Sequence, residues 1–359
     1  MPLLSSYSYC RRLGLLLLLS GVLISVSWAQ ALSQPRVDTS RAQILKQPGP
    51  KYPRDSKKRG QEGWVMLSFM VNKKGGVTDA LIEDSSGVTA FEKEALKVVK
   101  KWRYEPATYD GEPVEQRQTR LVLTYAMDIP RRGAGLRFRE GYNSVQERLS
   151  EQDYDGAQRE WQTLADFNGW NLYETARLWA LYALVGEAQG DNAQALTGLL
   201  RATRGGGSYL EKDFYAAALR KMFVLQLRAD NRAGALVTYG RLERRSGALD
   251  GFEQLTEAAV TLRERLQASE VLAAEARVEV IAGKPFWTRR LLRRDVELFD
   301  IRGKLESIDF RCDWGRVKDK AVTGKRWQLP RELGDCDVYV YGRKGSRFSL
   351  LQFPAVPES

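Results

Sequence analysis

Histidine is absent from all 359 residues. That absence removes Ser-His-Asp and Cys-His nucleophile arrangements and every His-ligated metal site at once. Cysteine is nearly as scarce. Of three, Cys10 lies at the extreme N-terminal end, and the remaining two, Cys312 and Cys336, are too far apart for a Cys-x-x-Cys redox pair. No Gly-x-Ser-x-Gly, Ser-x-x-Lys or phosphate-cradling glycine loop occurs. A carboxylate pair acting on glycans needs no motif and stays open. Otherwise the residues point to no enzyme, no cofactor, no metal and no small-molecule substrate. Beyond residue 26 no apolar run is long enough to span a bilayer, and residues 136–276 contain not one proline.

What is present begins with Arg11-Arg12, an apolar run Leu13–Val26, and Ala29-Gln30-Ala31. This is the pattern of a secretory signal peptide over 1–31, cleaved after Ala31 into the periplasm. An uncleaved inner-membrane anchor is the alternative. In an oxidising compartment the two remaining cysteines read as one disulfide, each lying in a strand-like run (Ser307–Cys312, Cys336–Tyr341); two buried free thiols are the alternative. Without Arg11 and Arg12 the net charge of +11 falls to +9, which divides into +4 over 36–130, −1 over 131–276 and +6 over 277–359. The basic residues form no stripe interleaved with aromatics, so nucleic acid is not expected as a partner. Lipid headgroups and the cell wall are the polyanions such a compartment offers.

Three modules follow a polar, flexible lead-in at 32–47. The first, 48–130, reads β-β-α-β. Gly63–Val71 is a strand, Lys73–Gly76 a hairpin turn and Val77–Ile82 the return strand. Phe91, Ala95, Val98, Val99 and Trp102 recur at helical spacing, Tyr109–Pro113 is a turn, and Leu121–Tyr125 is a last strand. Arg131–Gly135 marks a boundary. Residues 136–276 are helical, with Asp153…Ala157, Asp191…Ala195 and Asn231…Ala235 recurring where one helix should turn into the next. This pattern resembles tetratricopeptide repeats, with an irregular stack of α-hairpins as the alternative. Strands return over 277–359 with period-two alternation, a small disulfide-closed β-sandwich or barrel. The class is therefore α+β, multi-domain.

Tyr52-Pro53, Gly60–Val65, Gly75–Asp79, Asp84–Gly87, Phe91–Leu96, Lys101–Ala107 and Asp110–Val114 stand in an order and spacing that resemble the TonB C-terminal domain family, over residues 48–127. Within that signature Tyr52, Pro53, Gly63, Gly75, Gly76, Phe91, Ala95, Leu96, Trp102, Tyr104 and Pro106 read as determinants of fold. A three-stranded sheet with one helix leaves a free edge able to accept an extended peptide. The resemblance implies that the last strand, Leu121, Val122, Leu123, Thr124 and Tyr125, is the edge that pairs with a segment of an outer-membrane transporter. Proteins are thus the expected partners, whether outer-membrane TonB-dependent transporters or another envelope complex, with peptidoglycan as a further candidate. The long Pro-rich spacer of family members that transmit force is missing here. The expected role is that of a soluble periplasmic adaptor; the alternatives are an anchored energy transducer of unusual architecture and a cell-wall binding or processing factor.

Overall fold

Nine residues, Gly63-Trp64-Val65-Met66-Leu67-Ser68-Phe69-Met70-Val71, form strand β1, and every one of them is buried. A run this continuously apolar suits a strand covered on both faces. In the computed structural model, residues 37–127, 133–167, 169–205, 207–244, 252–268 and 270–354 are described. The signal-peptide reading of residues 1–31 lies outside them.

Strand β2 (Val77–Ser85) returns from β1, helix α1 (Thr89–Val99) follows, and β3 (Gln116–Tyr125) closes an antiparallel sheet in the order β2-β1-β3. The β1–β2 turn is built by Asn72, whose carboxamide oxygen accepts from Lys74 N and Gly76 N, and by Gly75 at φ +76°, where a Cβ would sit 1.8 Å from the Tyr104 carbonyl. Only glycine fits that approach. Phe91, Ala95, Val99 and Trp102 press α1 onto Val65, Leu67 and Phe69, with Leu96 at the margin of this core. Tyr125 stacks on Phe91 at 4.2 Å, with the Tyr52 ring edge-on to both. Tyr104 is buried beside Phe69. Gly63 passes so close to Ser86 Oγ that a Cβ would lie 2.3 Å from it, and a Cβ on Gly76 would crowd the Asn72 amide. Pro53 starts the short helix Arg54–Lys58, and Pro106 separates the short strands Arg103–Glu105 and Ala107–Tyr109.

Two expectations for this module change. The stretch read as a flexible lead-in contributes strands Thr39–Ser40 and Gln43–Lys46, which pair with Ala107–Tyr109 and Arg103–Glu105. Their side chains are all exposed, so backbone hydrogen bonds hold them and no hydrophobic pattern marks them. The segment between α1 and β3 is likewise more than a turn. Asp110 and Gly111, both at positive φ, join Ala107–Tyr109 to Glu112–Val114 as a hairpin.

Among the described residues the second module has seven helices: α2 (Leu136–Ser150), α3 (Tyr154–Ala165), α4 (Leu172–Ala188), α5 (Asn192–Ala202), α6 (Lys212–Arg228), α7 (Arg232–Glu243) and α8 (Phe252–Gln267). Each packs on the next along the chain. The recurring acid or amide is the N-cap of the second helix in three successive pairs: Asp153 accepts from Gly156 N, Asp191 from Ala193 N and Gln194 N, and Asn231 from Gly234 N. Such caps satisfy backbone donors the helix cannot satisfy itself, at about 1 kcal/mol each. The alanine four residues on (Ala157, Ala195, Ala235) is buried in each case, where a larger side chain would hold the helices apart.

The third module comprises β4 (Leu272–Arg277), β5 (Glu279–Ile281), β6 (Lys284–Arg290), β7 (Asp295–Arg302), β8 (Leu305–Cys312), β9 (Gly315–Lys320), β10 (Arg326–Gln328), β11 (Cys336–Gly342) and β12 (Arg347–Phe353). They form two antiparallel sheets, β5-β6-β11-β8-β9 and β10-β7-β12-β4, around one core that includes Ile308, Phe310, Val338 and Val340 from the first and Val296, Leu298, Phe348 and Leu350 from the second. Cys312 and Cys336 stand opposite each other on β8 and β11 and form a disulfide. The first strand begins at Leu272, not Arg277. Its Ala-rich sequence suits a helix by propensity, but Leu272, Ala274 and Ala276 alternate inward as sheet residues.

Candidate functional site

The sheet order leaves β3 with a strand partner on one side only. The orientation of its free groups follows from β1. Trp64 N donates to Ser86 Oγ and Trp64 O accepts from Ser86 N, so both backbone groups of Trp64 face the β2 side. Trp64 is the register partner of Thr124, and Met66, two residues along, is that of Val122. In an antiparallel ladder these are the non-bonded pairs, so Val122 and Thr124 turn their N–H and C=O groups out of the sheet. Both residues are exposed, whereas the side chains of Leu121, Leu123 and Tyr125 pack toward α1. All five expected edge residues therefore lie on one free edge, and two carry its unpaired groups.

A bulge ends this edge. Pairing shifts between Leu67 and Phe69, and Arg120 takes φ +55°, a left-handed conformation that a non-glycine residue adopts at a bulge or turn. Beyond it the strand is gripped by the third module. Arg117 Nε donates to Asp313 Oδ1 at 3.1 Å and its Nη1 pairs with Asp337. The buried Gln116 donates to the Asp313 carbonyl at 3.2 Å. The open acceptor edge is about five residues long.

The sheet face opposite α1 is covered by both other modules. Trp64 and Met66 meet Leu172 of α4. Glu62, 5% exposed, accepts from Leu172 N at 3.0 Å and from Met127 N at 2.8 Å. Asp84 accepts from Arg201 and Arg204 of the helical module. Leu81 packs with Phe286 and Tyr339 of the third module, and the Tyr339 hydroxyl donates to Glu83 at 2.6 Å. Arg316 bridges Asp79 and the buried Asp309. Its hydrogen bond holds the Asp79 carboxyl down at about 2, against the opposing effect of burial, and burial first, then Glu83, pushes the Tyr339 phenol well up. The contacts between modules join residues more than 100 positions apart, and no local pattern announces them; only the unbroken apolar run of β1 hinted that both faces are covered.

Beside the free edge, Val122, Thr124 and Trp64 line a cavity of about 40 Å³ with Leu172, Ala176, Arg201, Arg204 and Tyr209. Among the described residues no cluster of three or more carboxylate or cysteine ligands could hold a metal ion, and no helix is long and apolar enough to cross a membrane.

A three-stranded sheet backed by one helix presents, on its exposed last strand, a free backbone edge. Residues 48–125 match the family described as the Gram-negative bacterial TonB protein C-terminal. The match is confined to this segment and leaves the helical and third modules outside it. Protein TonB of Vibrio cholerae is 36% identical over 85 residues, 24% of this chain and 35% of that protein. Protein tonB2 of Pseudomonas aeruginosa is 36% identical over 69 residues, 19% of this chain and 26% of that protein. The solution NMR structure of the Pseudomonas aeruginosa TonB CTD, 28% identical, covers 26% of this chain and 92% of its own, with a TM-score of 0.24. The chain thus spans 35% and 26% of the length of these two curated relatives.

Proposed function

We propose that this is a TonB-type envelope protein linked to outer-membrane transport, acting without catalysis as a periplasmic adaptor that captures an extended segment of a protein partner by strand addition at Leu121–Tyr125. The observation that carries the reading is the exposed edge on which Val122 and Thr124 present unpaired backbone groups. A captured strand would gain up to four backbone hydrogen bonds there, each worth about 1 kcal/mol net, with side-chain contacts supplying specificity. In this reading the helical module is a TPR-like stack of hairpins and the third module a β-sandwich. Together they brace the sheet face that β1 would otherwise expose. Export rests on the Arg11-Arg12, Leu13–Val26 and Ala29-Gln30-Ala31 pattern.

The test is in-cell cross-linking of the full chain with proline at the edge. Val122→Pro and Thr124→Pro each remove an outward N–H, which an edge strand tolerates. Both should abolish the cross-linked adduct while circular dichroism stays that of the parent. Leu123→Pro removes an inward N–H and should unfold the module. A folded Val122→Pro or Thr124→Pro protein that still traps the same partner would overturn strand capture.

A further inference from the structure

The sheet face that carries Val122 and Thr124 is the face turned toward α4 and α5, and the register extends as a row. Asp84 of β2, Met66 of β1 and Val122 of β3 stand side by side across the sheet. A strand added at β3 places its own residue next in that row, about 4.8 Å beyond Val122 and on the same face. That position borders the cavity lined by Arg201 and Arg204.

The charge around it is unbalanced. Arg201 and Arg204 share the single Asp84 carboxylate, at 2.9 and 3.2 Å. Glu83, the other acid near them, is engaged by the Tyr339 hydroxyl. Arg120 at the bulge is exposed and has no ion pair among the described residues. The Nε–H of Arg204 is buried without an acceptor. Burial first, and then the like charge of Arg120, hold the Arg204 guanidinium below its ordinary value, against the pull of Asp84. Arg201 and Arg204 also lie over the rings of Trp179 and Trp64, at 4.3 and 5.6 Å, so the guanidiniums are positioned before anything binds. Three cations facing one directly paired carboxylate favour an incoming acid, because a guanidinium–carboxylate contact in a partly desolvated groove is stronger than one in water.

We infer that the helical module reads the captured strand, and that the partner segment bears an aspartate or glutamate on the face turned toward α5, where Arg120, Arg201 and Arg204 receive it. The inference rests on the strand-capture reading above and adds the chemistry of the partner. It also assigns the helical module a share in the site: α5 and the turn after it supply two of the cations, Arg201 and Arg204, and the TonB C-terminal domain supplies the third, Arg120, together with the backbone edge.

Two fluorescein-labelled dodecapeptides test it against the full exported chain, by anisotropy at low salt. Both alternate along the strand, with valine and threonine on one face; the other face carries glutamate in one peptide and glutamine in the other. The glutamate peptide should bind at least tenfold more tightly. Arg120→Asn, which keeps a residue tolerant of the left-handed conformation, and Arg201→Gln should each shrink that preference to less than threefold. Val122→Pro and Thr124→Pro should abolish binding of both. Equal affinity of the two peptides, with binding still sensitive to the prolines, would overturn the acidic preference and leave strand capture standing. A preference that survives both arginine variants would also overturn it. Binding insensitive to the prolines, or no binding of the glutamate peptide at millimolar concentration, would remove strand capture itself.

Discussion

Arg117→Met should destabilise the folded chain by about 3–5 kcal/mol, although the new side chain is of similar length and apolar. Arg117 and Asp337 have side chains only 6% and 7% exposed, and Asp313 is 15% exposed. Burial alone would lower the Arg117 pKa, but the attraction of Asp337 and then Asp313 raises it. Removing the cation strands Asp337 in a buried site with no second cation paired to it among the described residues, whereas Asp313 keeps an exposed contact to Arg41 at 3.5 Å. Most of the loss should therefore lie with Asp337. Neutralising it in the double variant Arg117→Met/Asp337→Asn should recover about 2 kcal/mol, because an unpaired neutral amide costs less to bury than an unpaired carboxylate. For a unit that runs from Asp38 to the C-terminus, the unfolding entropy is roughly 0.7 kcal/mol per kelvin, so the single variant should melt about 4–7 °C lower. Scanning calorimetry and urea unfolding of parent, single and double variants provide the measurement. A single variant within 1 kcal/mol of the parent, or a double variant no better than the single, would refute the view that this ion cluster fastens the third module to β3.

Asp79, held at about 2 against an ordinary 3.8 mainly by the Arg316 hydrogen bond, has a depressed folded-state pKa. Its contribution is therefore present above about pH 4 and lost as pH falls from 4 toward 2. With the side chain 38% exposed, solvent screening limits that contribution to about 1 kcal/mol, and Asp79→Asn should flatten acid unfolding across that window. Gly198→Ala places a Cβ 2.6 Å from Ala183 N and 2.7 Å from the Trp179 carbonyl; backbone cannot yield as a side chain can, so α4 and α5 should part at a cost of about 1–3 kcal/mol, read as a lower urea midpoint. Sequencing of the exported protein should begin at Leu32; a mature chain that retains Leu13–Val26 would refute periplasmic release.

Much of the organisation was legible in the residues because it depends on local rules. The β1–β2 turn follows from Lys73–Gly76 with its two glycines, α1 from the spacing of Phe91, Ala95, Val99 and Trp102, and the helical repeat from Asx residues followed by alanine. The disulfide followed from two cysteines in strand-like runs, and the free edge from the order of elements. Segments whose cause is non-local were missed or misplaced. Gln43–Lys46 pairs through backbone alone, and Leu272–Arg277 is a strand only because a neighbouring strand accepts it. Only the tertiary structure decided which backbone groups of β3 face outward, since that depends on the register with β1. It alone brought Arg117 to Asp313 and Asp337, Glu62 to the start of α4, and Arg201 and Arg204 to Asp84. Sequence periodicity records which face of an element is buried. It carries no record of which distant element covers that face, and so the arginines beside the free edge could not be placed there before the three modules were seen packed together.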